Sequence, residues 1–124
     1  MSHKIVIKAG DVTVEGVLND SPTANAVWEA LPLTGKANTW GDEIYFATPV
    51  KEELEPTAIE VVEKGDLGYW PPGRAFCIFF GPTPASTGNE IRPASAVNVI
   101  GRAQGNPAIF KKVKDGARIQ IDPA

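Results

Sequence analysis

Short apolar runs separated by glycine and proline turns are the feature that most constrains the fold of this chain. Residues 4–8 (KIVIK) and 12–18 (VTVEGVL) are rich in β-branched side chains, and the sequence Ala9-Gly10-Asp11 between them is typical of a tight turn. We therefore predict a β-hairpin at the start of the chain. Further runs follow at similarly short spacing, which does not suit a parallel α/β sheet with its crossover helices.

Two short helices are predicted where a polar cap residue precedes a proline. Ser21-Pro22 opens the first helix and Asn106-Pro107 opens the second. The further predicted strands are two within residues 35–46 and one each at 59–62, 67–70, 76–80, 96–103 and 117–121. With about eight strands, the chain is predicted to be mainly β and to form a single domain over residues 1–124. A closed antiparallel β-barrel is the favoured fold, because closure removes exposed sheet edges.

Composition and charge limit the classes of partner. The chain has 124 residues, of which 43% are hydrophobic, and a formal net charge of −3. That charge gives no general attraction to nucleic acid or to an anionic membrane, and no apolar run is long enough to span a bilayer. The first residues enter a strand pattern directly and do not read as a signal peptide. We expect a cytoplasmic protein with no membrane or nucleic-acid partner.

Reactive side chains are few. Cys77 is the only cysteine and lies in an apolar run, which predicts a buried thiol and excludes an internal disulfide. His3 is the only histidine and lies in a terminus expected to be frayed, so neither a Ser-His-Asp triad nor a histidine metal cluster can be assembled. A carboxylate-only metal site would use Glu52, Glu53 and Glu55, but adjacent glutamates in a loop are usually solvated, and we predict no metal and no cofactor. The C-terminal part is locally basic and the stretch 52–66 is acidic, so attraction between these two regions makes a homo-oligomer an alternative.

Residues 65–80 combine a double proline, two aromatic residues and an apolar strand in one short unit. Pro71 and Pro72 fix the backbone, and Gly73 allows the turn to close. Such a rigid turn suits a preformed surface pocket. The candidate ligand-binding residues lie at this turn, in the segment that begins with Trp40, or at the end of the long loop 81–93, and they are Trp40, Glu43, Tyr45, Tyr69, Trp70, Arg74 and Arg92.

Each candidate also has an ordinary structural role. The aromatic residues can line a groove or close the ends of the barrel, and Arg74 can bind a carboxylate or phosphate or form a surface ion pair. Alternation along a strand places Glu43 opposite Ile44 and Phe46. If those two residues face the core, Glu43 is simply solvated. If the aromatic face lines the pocket, Glu43 is an acceptor that orients a ligand.

The order of these motifs resembles that of the cyclophilins over nearly the whole chain. The resemblance rests on a helix start, a central hairpin and a closing strand, which are Pro22-Thr23-Ala24, Gly73-x-x-Phe76-x-Ile78-Phe79-Phe80 and Val99-Ile100-Gly101-Arg102-x-x-Gly105. The chain is also similar to DUF369, a prokaryotic cyclophilin-like family of unassigned function, in residues 40–46 (WGDEIYF), 68–73 (GYWPPG) and 80–84 (FGPTP). The resemblance implies a cyclophilin-like barrel.

Cyclophilins are peptidyl-prolyl isomerases, but the resemblance does not extend to their catalytic arginine. The corresponding region, residues 43–56 (EIYFATPVKEELEP), contains no arginine and no glutamine. A donor near the prolyl nitrogen is needed there, because it stabilises the twisted amide. We therefore predict a barrel of unassigned function that binds an unknown small molecule or peptide in an aromatic-lined pocket and has no catalytic residues. A weak or divergent prolyl isomerase and a protein-interaction module are the alternatives.

Overall fold

The computed structural model describes residues 2–124, in which nine β-strands form one sheet. The strands are β1 (His3–Ala9), β2 (Val12–Leu18), β3 (Leu33–Lys36), β4 (Asn38–Thr39), β5 (Glu43–Ala47), β6 (Asp66–Trp70), β7 (Ala75–Phe79), β8 (Asn98–Ala103) and β9 (Arg118–Pro123). The α-helix α1 spans Pro22–Ala30, and 3₁₀-helices span Pro71–Gly73 and Pro107–Lys112. No helix within residues 2–124 is long and apolar enough to cross a membrane.

The sheet curls into a nearly closed antiparallel barrel. Its strand order is β3-β9-β1-β2-β8-β6-β7-β5-β4, so the two edge strands follow one another in the chain. The edges approach where Gly35 of β3 lies against Phe46 of β5, and a Cβ atom at Gly35 would come within 2.8 Å of that ring. The predicted fold class, a mainly β antiparallel barrel with two short helices, is confirmed.

Local signals gave the right starting points for the hairpin and for both helices. Strands β1 and β2 pair up to the turn, where Ala9 faces Val12 and Gly10 has a φ of +56°. The N–H of Ala24 donates to Ser21 Oγ at 3.2 Å, which caps the first turn of α1. The second predicted helix begins as expected after Asn106, but it has 3₁₀ geometry.

Three local predictions differ from the structure. Residues 33–47 contain three strands, β3 to β5, where two were expected over 35–46. The strand predicted at residues 59–62 is only a pair of isolated bridges, Ile59 to Val97 and Val62 to Ile91, because this segment crosses the outside of the barrel and meets another loop. His3 is not frayed: it begins β1 and stacks on Trp28 with ring centroids 4.2 Å apart.

The barrel carries apolar clusters on both sides of β7. Phe76 and Ile78 point inward and belong to the main core, whereas Cys77 and Phe79 point outward into a second cluster. The members of the second cluster are Val62, Ala75, Cys77, Phe79, Ile91 and Val97. Segments 48–65 and 80–97 pack over this second cluster and shield it from solvent. Strand β7 is therefore buried on both faces, as its five buried residues show.

Candidate ligand-binding pocket

A pocket of about 260 Å³ opens on the outer face of the barrel, beside the second apolar cluster. Its lining residues are Trp40, Glu43, Tyr45, Trp70, Pro93, Ala94 and Val97. Aromatic and apolar side chains dominate this lining, and Glu43 is its one charged residue. Small-molecule sites usually have this composition, and the volume lies just below the range of about 300–1,000 Å³ that is typical of drug-sized ligands. The pocket therefore suits a small molecule.

The turn that carries Trp40 is locked against the long loop. Gly41 has a φ of +60°, and a Cβ atom there would come within 2.9 Å of Thr83 Cα and Pro84 Cδ. Only glycine combines this backbone conformation with so close an approach. The N–H of Asp42 donates to the carbonyl of Pro82 at 3.0 Å. One wall of the pocket is thus fixed by backbone contacts.

Trp70 is held at the end of β6 by the turn that follows it. A Cβ atom at Gly73 would come within 2.9 Å of the Trp70 ring, so the glycine allows the turn to fold back onto the indole. The indole Nε1–H donates to Ser95 Oγ at 2.7 Å, across to the loop that forms the opposite wall. The polar tip of the indole is therefore satisfied while its apolar body lines the pocket.

The long loop is ordered by its own hydroxyl groups. Thr83 Oγ1 donates to the carbonyl of Arg92, and Ser86 Oγ accepts from the N–H groups of Thr83 (3.0 Å) and Arg92 (3.1 Å). These bonds close the neck of the loop. Backbone bonds from Ile59 to Val97 and back, both 3.0 Å, tie its end to the neighbouring segment. The wall that contains Pro93 and Val97 is consequently preformed.

Glu43 is the chemically distinctive residue of the pocket. It is only 5% exposed, and its Oε1 atom has no hydrogen-bond partner among residues 2–124. Burial removes hydration from the charged form and raises the pKa of Glu43 to about 7. A hydrogen bond with the Cys77 thiol lowers this pKa, and so offsets part of the rise that burial causes. The carboxyl group therefore titrates near neutral pH without a neutralising partner.

The comparisons with known proteins agree with the barrel topology. The cyclophilin-like family matches residues 3–122 of this chain. This chain belongs to the cyclophilin-like family. A similar solved structure is the solution structure of the hypothetical protein AF2241 from Archaeoglobus fulgidus, which is 44% identical and has a TM-score of 0.84. That match covers 99% of this chain and 95% of the other. No curated protein matches this chain.

The cyclophilin-like barrel brings together four of the seven residues predicted to bind a ligand, Trp40, Glu43, Tyr45 and Trp70. Tyr69 lies elsewhere: it is fully buried inside the barrel, where its hydroxyl donates to the Val50 carbonyl at 2.6 Å. This corrects its placement in a surface site. The reason is the period-2 alternation of β6, which turns Tyr69 and Trp70 to opposite faces.

The two arginines also lie outside the pocket of the cyclophilin-like barrel. Arg74 is exposed and borders a separate groove of about 770 Å³, while its backbone occupies the left-handed region with a φ of 48° to join the 3₁₀-helix to β7. Arg92 places its side chain 3.5 Å from Glu90. Neither arginine is among the pocket-lining residues. The structure therefore does not bring either arginine together with the four predicted residues that line the pocket.

Sequence reasoning missed the wall formed by Pro93, Ala94 and Val97, and it missed Cys77 as a neighbour of Glu43. The predicted burial of the Cys77 thiol is confirmed, since the residue is 1% exposed. A signal for the wall was present in the sequence. Ile91 and Val97 are large apolar residues at the end of an otherwise polar loop, and in the cyclophilin-like barrel they anchor that loop to the outer cluster.

Proposed function

We propose that this cyclophilin-like barrel binds a small, largely apolar molecule in the pocket between Trp40, Tyr45 and Trp70. The observation that carries the proposal is a preformed apolar cavity whose one charged side chain, Glu43, is buried and has an Oε1 atom without a hydrogen-bond partner among residues 2–124. In native proteins nearly all buried polar groups have hydrogen-bond partners, and the exceptions are concentrated at functional sites. A ligand would supply the missing partner and fill the apolar space.

Binding is a better account of this pocket than prolyl isomerisation. The lining within residues 2–124 contains no arginine, so no guanidinium faces a bound amide. We expect a protease-coupled assay on a panel of X-Pro peptides to give the uncatalysed rate. Catalysis by the wild-type barrel that disappears in Arg74→Ala would replace the binding proposal with an enzymatic one.

The binding proposal is tested by filling the pocket. Ala94 lies exposed in the pocket wall, so Ala94→Phe should occupy the cavity without disturbing the core. A set of small neutral and charged fragments is screened by ¹H–¹⁵N NMR, with the indole signals of Trp40 and Trp70 as reporters. We expect hits that shift these signals in the wild type and not in Ala94→Phe.

The matched control for this experiment is Ala96→Phe. Ala96 is two residues away and borders the separate groove that contains Arg74. This variant should retain all hits. If no fragment of any charge shifts the two indole signals, or if Ala94→Phe binds like the wild type, the pocket is not a ligand site.

A further inference from the structure

The charges around Glu43 indicate which kind of ligand would pair with its carboxylate. Among the residues that line the pocket there is no lysine, arginine or histidine, so nothing on the described chain neutralises the carboxylate there. Asp42, the next residue, directs its carboxylate to Lys111 at 3.8 Å and not into the pocket. The titratable neighbours on the same outer face are the Tyr45 phenol on β5 and the Cys77 thiol on β7. Neither carries positive charge, so a cation must come from outside.

The remaining walls favour a cation that carries hydrocarbon. Two indoles and a phenol ring surround the space beside the carboxyl group. Aromatic faces attract organic cations, and an ammonium N–H is a strong donor to a carboxylate. A hydrated metal ion would match the carboxylate but not the apolar walls, because it would have to give up its water without oxygen ligands to replace it.

We propose that the ligand of this pocket is a protonated alkylamine, whose ammonium group donates to the Glu43 carboxylate and whose hydrocarbon part lies between Trp40, Tyr45 and Trp70. This inference rests on the proposed binding function and names its ligand class. The competing ligand is a neutral molecule with a carbonyl or hydroxyl acceptor, to which a protonated Glu43 would donate. The two ligands differ in charge and therefore in the sign of their pH dependence.

The pH dependence follows from the protonation state that each ligand requires. An alkylamine stays protonated throughout the neutral range, so Glu43 is the one group of the ligand and the pocket lining whose charge changes there. Because the pKa of Glu43 is about 7, the Kd for an ammonium ligand should fall about tenfold per pH unit from roughly pH 5.5 and level off above the pKa. A neutral acceptor ligand would show the opposite trend, with weaker binding as the pH rises.

The experiment compares n-butylammonium with 1-butanol, which has a similar size and no charge. Kd values are obtained from the Trp40 and Trp70 indole shifts at about pH 5.5 and pH 8. At the higher pH, butylammonium should bind the wild type about tenfold or more tightly than butanol does. Glu43→Gln should remove this preference, because the glutamine carries no charge at either pH. Glu60→Gln, at an exposed glutamate on the separate groove, is the control for loss of one negative charge.

The outcomes separate this inference from the proposed function. Butanol binding without a preference for the amine, a preference that survives in Glu43→Gln, or amine binding that strengthens at low pH would each overturn the amine assignment alone. If neither probe nor any other fragment binds the wild type, the binding function itself fails. Because the pH series uses the wild type, the result does not depend on the folding of a variant.

Discussion

The inner and outer faces of the sheet segment β5–β7 are both buried, but they differ in whether their buried polar atoms have hydrogen-bond partners. On the inner face, Tyr69 lies among apolar side chains, and its hydroxyl both donates to the Val50 carbonyl (2.6 Å) and accepts from the Glu52 N–H (3.2 Å). On the outer face, Glu43 is nearly as buried, yet its Oε1 atom lies beside a cavity and has no hydrogen-bond partner within residues 2–124. The inner face follows the rule that buried polar groups are paired, and the outer face departs from it.

This difference separates residues that maintain the barrel from residues that the proposed ligand would contact. An unpaired buried carboxyl group costs stability, and a chain selected for stability alone would place an apolar residue there. On the inner face the hydroxyl of Tyr69 is paired, so this cost in stability does not arise there. We therefore expect substitutions on the inner face to act on folding, and those on the outer face to act on pH response and binding.

The largest effect is expected from truncating the inner face. Phe76→Ala should lower the free energy of unfolding by about 3–5 kcal/mol, because it removes a fully buried ring and leaves a cavity. Urea denaturation followed by circular dichroism measures the loss. Trp40→Ala, at the half-buried rim of the outer face, should cost clearly less. Equal losses at the two positions would remove the energetic distinction between the faces.

The next effect is a pH dependence that only the outer face should show. The pKa of Glu43 is raised from 4.5 to about 7, so the folded state holds this proton more tightly than the unfolded chain does. The resulting stability is fully present below about pH 4.5 and is lost as the pH rises through about 7. The total loss is about 3 kcal/mol. Glu43→Gln cannot ionise and should lack it.

Urea denaturation of the wild type and of Glu43→Gln across this pH range tests the prediction. The variant should be the more stable protein at about pH 8, since it never carries the unpaired charge. Glu60→Gln, which removes an exposed carboxylate, is the control. Parallel stability profiles for the wild type and Glu43→Gln would mean that the Glu43 charge is neutralised in the folded protein.

The smallest effect concerns the hydroxyl group on the inner face. Tyr69→Phe should cost about 1–2 kcal/mol, because the carbonyl of Val50 and the N–H of Glu52 lose their partner. Differential scanning calorimetry measures this change. Binding of any ligand found for the pocket should be unaffected, whereas Tyr45→Phe alters the pocket wall. A loss of ligand affinity in Tyr69→Phe would show that the two faces are coupled.

Local signals were sufficient for much of the fold. The hairpin at Gly10 and the two helix starts at Ser21 and Asn106 depend on residues within four positions of each other, and all three are present. The number of strands in residues 33–47 was predicted incorrectly, because three short strands in succession are each too short to show a clear alternation of apolar and polar residues. The segment 59–62 has strand-like residues, but its bridges are to Ile91 and Val97, which lie in a loop that no local sequence pattern predicts as a partner.

One of the two interpretations of Glu43, that it is simply solvated, is wrong. That interpretation assumed that if Ile44 and Phe46 faced the core, the opposite side of β5 would be exposed to solvent. Both of these residues are buried, and Glu43 is buried as well. The cover comes from Pro93 and Val97, which are far away in the sequence. Alternation reports which residues share a face, but it does not report what lies above that face.

Neighbours along the chain are enough to predict the mainly β class, the turns, the helix caps and the aromatic residues on rigid turns. Contacts between distant segments determine that Trp70 and not the adjacent Tyr69 lines the pocket, and that Arg74 lies outside it. The same packing buries the Glu43 carboxyl group and leaves its Oε1 atom without a partner in the described part of the chain. The physical reason is that desolvation depends on everything packed around a group, and here that packing comes from distant segments.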